Sequence, residues 1–311
     1  MHAKTAYVIG GLYGNVEALH AILRMREVEA KRGTDVTLVF NGDHNWFDID
    51  EPSFREVNET VLGNVAIRGN VEAEIAAPTG GCGCNYPDYV NAEYVSRSNA
   101  IMARLQATSV AFPELRSALE KLLVIRTLQV DSQRIGIVHG DAEMLSGWSF
   151  AAERLSPAGK VCSGDEALAE LTPRDTIGGW FRDADVTAFA SSHTCLAHAR
   201  DFMVDGKQRL VMNNGAAGLA NFAGATFGLV TRISEDPAVP AESLYGITIG
   251  GVRFDALPVR FDQQAWVKRF LANWPEGSPA HEAYFDRIVK GPSYEVRDAI
   301  GENVVPVATG I

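Results

Sequence analysis

Four short apolar runs end abruptly in polar turns, and they constrain the fold more than any other feature of the chain. Leu38-Val39-Phe40 runs into Asn41-Gly42-Asp43-His44, and Val65-Ala66-Ile67 into Arg68-Gly69-Asn70. Ile135-Gly136-Ile137-Val138 runs into His139-Gly140-Asp141, and Thr187-Ala188-Phe189-Ala190 into Ser191-Ser192-His193. Runs of this kind read as buried strands, and open α/β sheets present reactive groups beyond the C-terminal ends of such strands. Convergence of the four ends gathers Asp43, Asn70, His139 and His193 into one cluster of oxygen and nitrogen donors. One carboxylate, one amide oxygen and two imidazoles suit a borderline divalent ion such as Zn, Mn or Fe better than Ca or Mg.

The residues between the first three ends support a parallel sheet. Thr5 to Ile9 reads as a strand, Gly10 to Asn15 as a glycine-rich turn with Asn15 as N-cap, and the following amphipathic run as a helix ended near Gly33. Val36 to Phe40 is a second strand, Pro52 to Leu62 a helix opened by proline, and Val65 to Ile67 a third strand. This alternation is the grammar of βαβ units. Ala76 to Pro87, rich in glycine and proline, must be a loop. Behind it Val95, Ser98, Met102 and Leu105 recur at helical spacing, and Pro113 opens a second helix with Leu115, Leu119 and Leu122. Residues 80–122 are therefore expected as a helical insertion, placed so that it can cap what Asn70 helps to form.

Leu123 to Val130 and Arg134 to Val138 read as adjacent strands, followed by polar loops with short helices at Trp148 to Leu155 and Asp165 to Leu171. Beyond His193 the period falls to two. His198 to Val204, Gln208 to Asn213, Phe227 to Ile233, Tyr245 to Ile249 and Val252 to Val259 are expected as antiparallel strands with turns such as Asp205-Gly206-Lys207 and Gly250-Gly251. Gln263 to Ile288 holds two amphipathic helices whose Trp266, Phe270, Trp274, Tyr284 and Phe285 read as packing residues. The expected organisation is one α/β domain over 1–261, with a C-terminal helical extension over 262–311 packed on it.

Composition narrows the partners. A net charge of −11 argues against a phosphate-backbone footprint of clustered Lys and Arg, which leaves a small molecule as the expected partner. No run approaches the roughly 18 to 20 apolar residues of a membrane span, and Met1-His2-Ala3-Lys4 leads into Tyr7-Val8-Ile9 without a signal-peptide core, so a cytoplasmic protein is expected. Cys82, Cys84, Cys162 and Cys195 are unevenly spaced and form no secreted disulfide framework, which makes reduced thiols the expectation. Cys82-Gly83-Cys84 is too close for an unstrained mutual disulfide. It reads either as a soft-metal pinch or as a glycine-rich turn holding two small residues.

The order of motifs resembles the calcineurin-like metallophosphoesterase superfamily over about residues 5–260. It is carried by Gly14-Asn15 after the first strand, Gly42-Asp43, Gly69-Asn70, His139-Gly140, Ser192-His193-Thr194-Cys195 and Asn213-Asn214-Gly215-Ala216. The Glu17-Ala18-Leu19 helix start is similar to the bacterial and archaeal phosphodiesterase branch. The resemblance implies a four-layer α/β/β/α sandwich and a site that generally holds two metals about 3.5 to 4 Å apart. It places the bridging carboxylate on Asp43 and the second metal's other ligands on Asn70, His139 and His193. The first metal is poorly served. The family's Asp-x-His aligns with Gly11-Leu12-Tyr13, its last histidine with Cys195, and its leaving-group histidine with Val71, although Glu72 keeps the acidic residue that follows. Asp43 and the Cys195 thiolate remain, and two ligands make a weak site unless a Tyr13 phenolate joins them for a ferric ion.

Three functional readings follow. The first is a phosphoesterase of small phosphate mono- or diesters with a single Mn, Fe or Zn ion, His44 or Glu72 as proton carriers, and Gly11, Tyr13 and Asn15 facing the substrate. The second is a catalytically retired scaffold that binds a phosphorylated ligand or a metal, using backbone N–H groups of the Gly10-Gly11 turn. The third is a single-metal or redox site built from Cys195 and the Cys82/Cys84 loop.

Overall fold

A computed structural model describes residues 1–156 and 170–307. Two βαβ units come first: β1 (Thr5–Ile9), α1 (Val16–Lys31), β2 (Val36–Asn41), α2 (Glu51–Leu62) and β3 (Val65–Ile67). Asn15 caps α1 by accepting from the Ala18 amide, and Asp50 caps α2 through Ser53; each satisfies one orphan first-turn donor. The helices α3 (Asn70–Ala76), α4 (Ala92–Ser109) and α5 (Pro113–Glu120) lead to the hairpin of β4 (Ile125–Val130) and β5 (Gln133–Val138). After α6 (Ala152–Leu155) and α7 (Arg174–Ala184) follow β6 (Ala188–Ser191), β7 (His198–Val204), β8 (Lys207–Asn213), β9 (Gly228–Ser234), β10 (Tyr245–Ile249) and β11 (Val252–Val259). The order ends with α8 (Gln263–Asn273), α9 (Pro279–Lys290), α10 (Val296–Ala299) and β12 (Val305–Pro306).

Among the described residues the strands form two mixed sheets, ordered β12-β10-β11-β9-β1-β2-β3 and β4-β5-β6-β8-β7. Strands β1, β2 and β3 run parallel, as do β5, β6 and β8; the remaining pairs are antiparallel. Period-two alternation builds the layers. Val8, Val39 and Ile67 face Ile137, Ala190 and Met212 in the core shared by the two sheets. On the opposite face, Ile9, Leu38 and Phe40 meet Leu19 and Ile22 of α1 and Val57 of α2. Val138, Phe189 and Val211 meet Ile177, Trp180 and Phe181 of α7. The architecture is thus the α/β/β/α sandwich, with each fully buried aliphatic or aromatic side chain contributing roughly 1.5–3 kcal/mol of transfer free energy.

A third group of helices closes the C-terminal ends of the parallel strands. Helix α4 packs along α9 and α3 against α5, around a cluster that includes Phe47, Phe54, Met102, Trp266 and Phe270. No helix of the described residues is long and apolar enough to cross a membrane.

Some local expectations needed correction. Helix α7 does not show in the sequence because Gly178-Gly179 lies in its middle, which local propensity disfavours; Ile177, Trp180 and Phe181 form it by burying one face on β6. The turn at Gly69-Asn70 proves to be the start of α3. Strand β4 begins at Ile125, and Leu123 and Val124 are left exposed. Most of the helix expected at Asp165 to Leu171 lies outside the described residues, as does Cys162.

Candidate metal centre

The four turns meet because the strands that carry them are neighbours with a common direction within each sheet. Asp43 follows β2, Asn70 follows β3, His139 follows β5 and His193 follows β6. Backbone shape permits the approach only with glycine at residue 42. Its φ is +102°, and a Cβ there would overlap His139 Nδ1 and the Gly69 backbone.

His139 is the hub of the cluster. Its Nε2 lies 3.2 Å from Asp43 Oδ1, 3.0 Å from Asn70 Oδ1 and 3.2 Å from His193 Nδ1. Each partner is oriented from behind. His139 Nδ1 lies 3.0 Å from the Asn41 carbonyl and His193 Nε2 3.0 Å from the Cys84 carbonyl, so both these nitrogens carry hydrogen and donate. Asn70 Nδ2 donates to the Cys82 carbonyl at 2.9 Å, which turns its oxygen inward. Four acceptor atoms therefore converge, with no donor among them while both imidazoles are neutral. Lone pairs this close require a cation between them, and a proton on His139 Nε2 or a metal ion supplies one. The ligand atoms of Asp43, His139 and His193 all lie within 4.8 Å of one another and all three residues are buried, so the group is able to hold a metal ion.

Electrostatics agree with that capacity. Burial raises the Asp43 carboxyl, but the His139 imidazole, His193 and the Val71 amide outweigh it and hold the group below the usual carboxylate range. Burial and the neighbouring His139 push His193 down to about 4, leaving it neutral at pH 7. Burial also acts to lower His139, but the Asp43 charge and hydrogen bond raise it overall. A proton stabilised on His139 competes with a metal for the same Nε2. In the metal-free protein the stability gained from this pair is present below the unfolded-state imidazole pKa and is lost as pH rises through the folded value. Metal affinity should run the opposite way, falling by about tenfold per pH unit once pH drops below the His139 pKa. Competition titrations of manganese against a fluorescent chelator at pH 6, 7 and 8 check this; a flat profile rules out metal binding through His139.

Several residues expected at the site lie elsewhere. His44 is fully buried with Nε2 on the Ile67 carbonyl and its ring against Phe40, so it cannot carry protons for a substrate. Glu72 is also fully buried and accepts from the amides of Asp43, His44, Asn45 and Gly69; it ties the two turns together. Asn15 is spent on capping α1 and on donating to the Gly218 carbonyl. The Gly10-Gly11 turn offers no anion cradle. The Gly11, Tyr13 and Gly14 amides donate to the carbonyls of Gly42, Asp43 and His44, and Gly11 sits against Ala216.

Tyr13 and Cys195 do reach the site, but bound to each other. The hydroxyl lies 2.8 Å from Cys195 Sγ, and burial, Cys195 and Asp43 raise the Tyr13 pKa well above its ordinary value, against the phenolate expected for a ferric ion. Cys82 and Cys84 are joined as a disulfide, contrary to the expected reduced thiols and to the soft-metal alternative. Gly83, at φ +65°, makes the turn between them, with Cα atoms 5.3 Å apart. They touch the cluster through the Cys82 and Cys84 carbonyls and through Cys84 Sγ, which accepts from Asn70 Nδ2 at 3.6 Å.

The cluster opens into a cavity of about 520 Å³ lined by Asp43, Asn70, His193, Tyr13 and Cys195 together with Trp46, Tyr86, Tyr94, Trp148, Tyr284 and Arg287. The aromatic part escaped the sequence reading. Trp46 comes from the β2–α2 loop, Tyr86 and Tyr94 from the insertion, Trp148 from the β5–α6 loop and Tyr284 from α9, which no local spacing connects; Tyr86 near the end of the glycine-rich loop and Tyr94 beyond it were the available signal.

No family model and no curated protein matches the chain. Solved structures do. A hypothetical protein from Pyrococcus horikoshii OT3 superposes with a TM-score of 0.56 at 17% identity, covering 94% of this chain and 100% of its own. A metallophosphoesterase from Sphaerobacter thermophilus gives 0.54 at 16% identity, covering 93% of this chain and 99% of its own. With the two-sheet sandwich and the turns at its C-terminal edges, these likenesses mean that the chain has the fold of the calcineurin-like metallophosphoesterases.

Proposed function

We propose that the protein is a metal-dependent phosphoesterase acting on a small phosphate mono- or diester, with one Mn, Fe or Zn ion held by Asp43, Asn70, His139 and His193. The observation that carries this reading is the convergence of four acceptor atoms, three of them oriented from behind by the carbonyls of Asn41, Cys82 and Cys84. One ion is favoured over two because Gly11 brings no donor atom and the Tyr13 hydroxyl is engaged with Cys195. A divalent transition metal supplies Lewis-acid polarisation of a phosphoryl oxygen. The chain's own groups do the rest. Asp43 stays ionised, His193 stays neutral, and Tyr13 keeps its proton as a hydrogen-bond donor on the cavity wall. Arg287 donates to the Cys195 carbonyl at 2.8 Å and fixes the turn that carries His193.

Metal analysis and hydrolysis of p-nitrophenyl phosphate and bis(p-nitrophenyl) phosphate test the proposal. About one equivalent of transition metal is expected, with activity lost on chelation and restored by manganese, iron or zinc. Protein loaded with each of these metals and inert on both esters would overturn it.

A further inference from the structure

A run of aromatic rings leads away from the metal cluster along the cavity wall. Trp148 meets His193 edge-on with centroids 5.3 Å apart. Tyr86 lies 5.8 Å from Trp148, Tyr94 5.8 Å from Tyr86, and Tyr284 5.7 Å from Tyr94. Phe47, 5.1 Å from Tyr284 and 6.1 Å from Tyr13, returns the run to the other side of the cluster. Trp266 and Trp274 are fully buried packing residues, whereas Tyr86, Tyr94 and Trp148 are only half-buried and line the cavity.

The polar tips of these rings are already engaged. Trp148 Nε1 donates to the Cys84 carbonyl at 3.0 Å, and the Tyr86 hydroxyl lies 3.0 Å from Ser98 Oγ. Tyr284 is hydrogen-bonded to Tyr94. What the wall offers a ligand is ring surface. Aromatic surroundings suit either a cation or a planar ring, and charge decides between them. Arg287 and Lys290 line the same cavity; its carboxylates are Asp43, within the metal cluster, and Asp286, paired with Lys290 at 2.8 Å. These charges balance, and Arg287 is turned to the carbonyls of Ala220 and Cys195, so the wall carries no net negative charge to hold a cationic head group. Under the phosphoester reading the anion lies at the metal cluster, which leaves a planar ring for the aromatic wall. The volume of about 520 Å³ lies in the range of small-molecule sites.

We infer that the cavity takes a phosphoester bearing a planar aromatic group, of nucleotide size, with the ring against Tyr86, Tyr94 and Trp148 and the phosphoryl group toward Asp43 and His193. This rests on the phosphoester reading for the direction of the phosphoryl group; the ring subsite has its own readout. Titration calorimetry of the full chain, with turnover stopped by chelation, compares adenosine 5′-monophosphate, adenosine and glycerol 3-phosphate, and hydrolysis of the two esters is followed separately with manganese. The nucleotide should bind at least about tenfold tighter than glycerol 3-phosphate, and adenosine should bind measurably. In Tyr94→Leu and Trp148→Leu the preference should shrink to within about threefold. Equal affinities for nucleotide and glycerol 3-phosphate in the unsubstituted protein overturn the inference, and this comparison needs no variant to fold. Hydrolysis of both esters without preference removes the ring subsite and leaves the phosphoesterase; ring preference without hydrolysis of any ester removes the phosphoesterase and leaves the subsite.

Discussion

His139→Ala should lower metal content from about one equivalent to below about 0.1 per chain and phosphoesterase activity by at least about a thousandfold. The expected effect is large because His139 Nε2 is the atom from which Asp43, Asn70 and His193 are each 3.0 to 3.2 Å distant. Removing the ring deletes one ligand and also the link from the Asn41 carbonyl that joins the β2 turn to the β5 turn. It leaves the Asp43 carboxylate, only 5% exposed, without its principal counter-charge. Some stability is therefore lost as well, which is why metal content is read by elemental analysis on protein shown by circular dichroism to be folded. Asp43→Asn should give the same loss of metal while retaining shape. Full metal occupancy in either folded variant would remove the centre from these residues.

At Glu72 the expected loss is one of stability. Its carboxylate accepts the amides of Asp43 at 2.9 Å, His44 at 2.8 Å, Asn45 at 3.4 Å and Gly69 at 2.8 Å. Glu72→Gln turns one acceptor into a donor facing two of these amides, in a place that water does not reach. An unpaired buried donor costs about 1–3 kcal/mol, and the charge assistance of the remaining bonds is lost too, so about 3 kcal/mol or more is expected. For a chain of 311 residues that corresponds to a fall of about 5 °C or more in the unfolding midpoint. Differential scanning calorimetry checks it, and a midpoint within about 1 °C of the parent would show that the carboxylate does not hold the turns.

The different fates of Asp43, His44 and Glu72 show where sequence reading stops. Asp43 lies two residues past the end of β2, and a residue just past the C-terminal end of a parallel strand lies at the sheet's edge. His44 is the next residue, chemically as suited to proton transfer, yet its ring turns inward to Phe40 and the Ile67 carbonyl. Glu72 stands two residues after Asn70, but on the first turn of α3 its side chain points back to the amides of two loops rather than into the cavity. Sequence neighbours share a location, while burial and direction are set by what packs against them.

The same distinction holds for the whole molecule. The apolar runs, their period and the glycines that close them are local quantities, so β1 to β11 could be read before any coordinates and the meeting of Asp43, Asn70, His139 and His193 could be expected from them; the short β12 could not. The α7 helix through Gly178-Gly179, the pairing of Cys82 with Cys84, the use of their carbonyls to aim Asn70 and His193, and the aromatic wall could not. Apart from the Cys82–Cys84 pair, which spans two residues, each depends on contacts between segments distant in the chain, whose free energy comes from burying surface and satisfying polar groups together. No single segment carries that information, because the partner that stabilises it lies elsewhere in the chain.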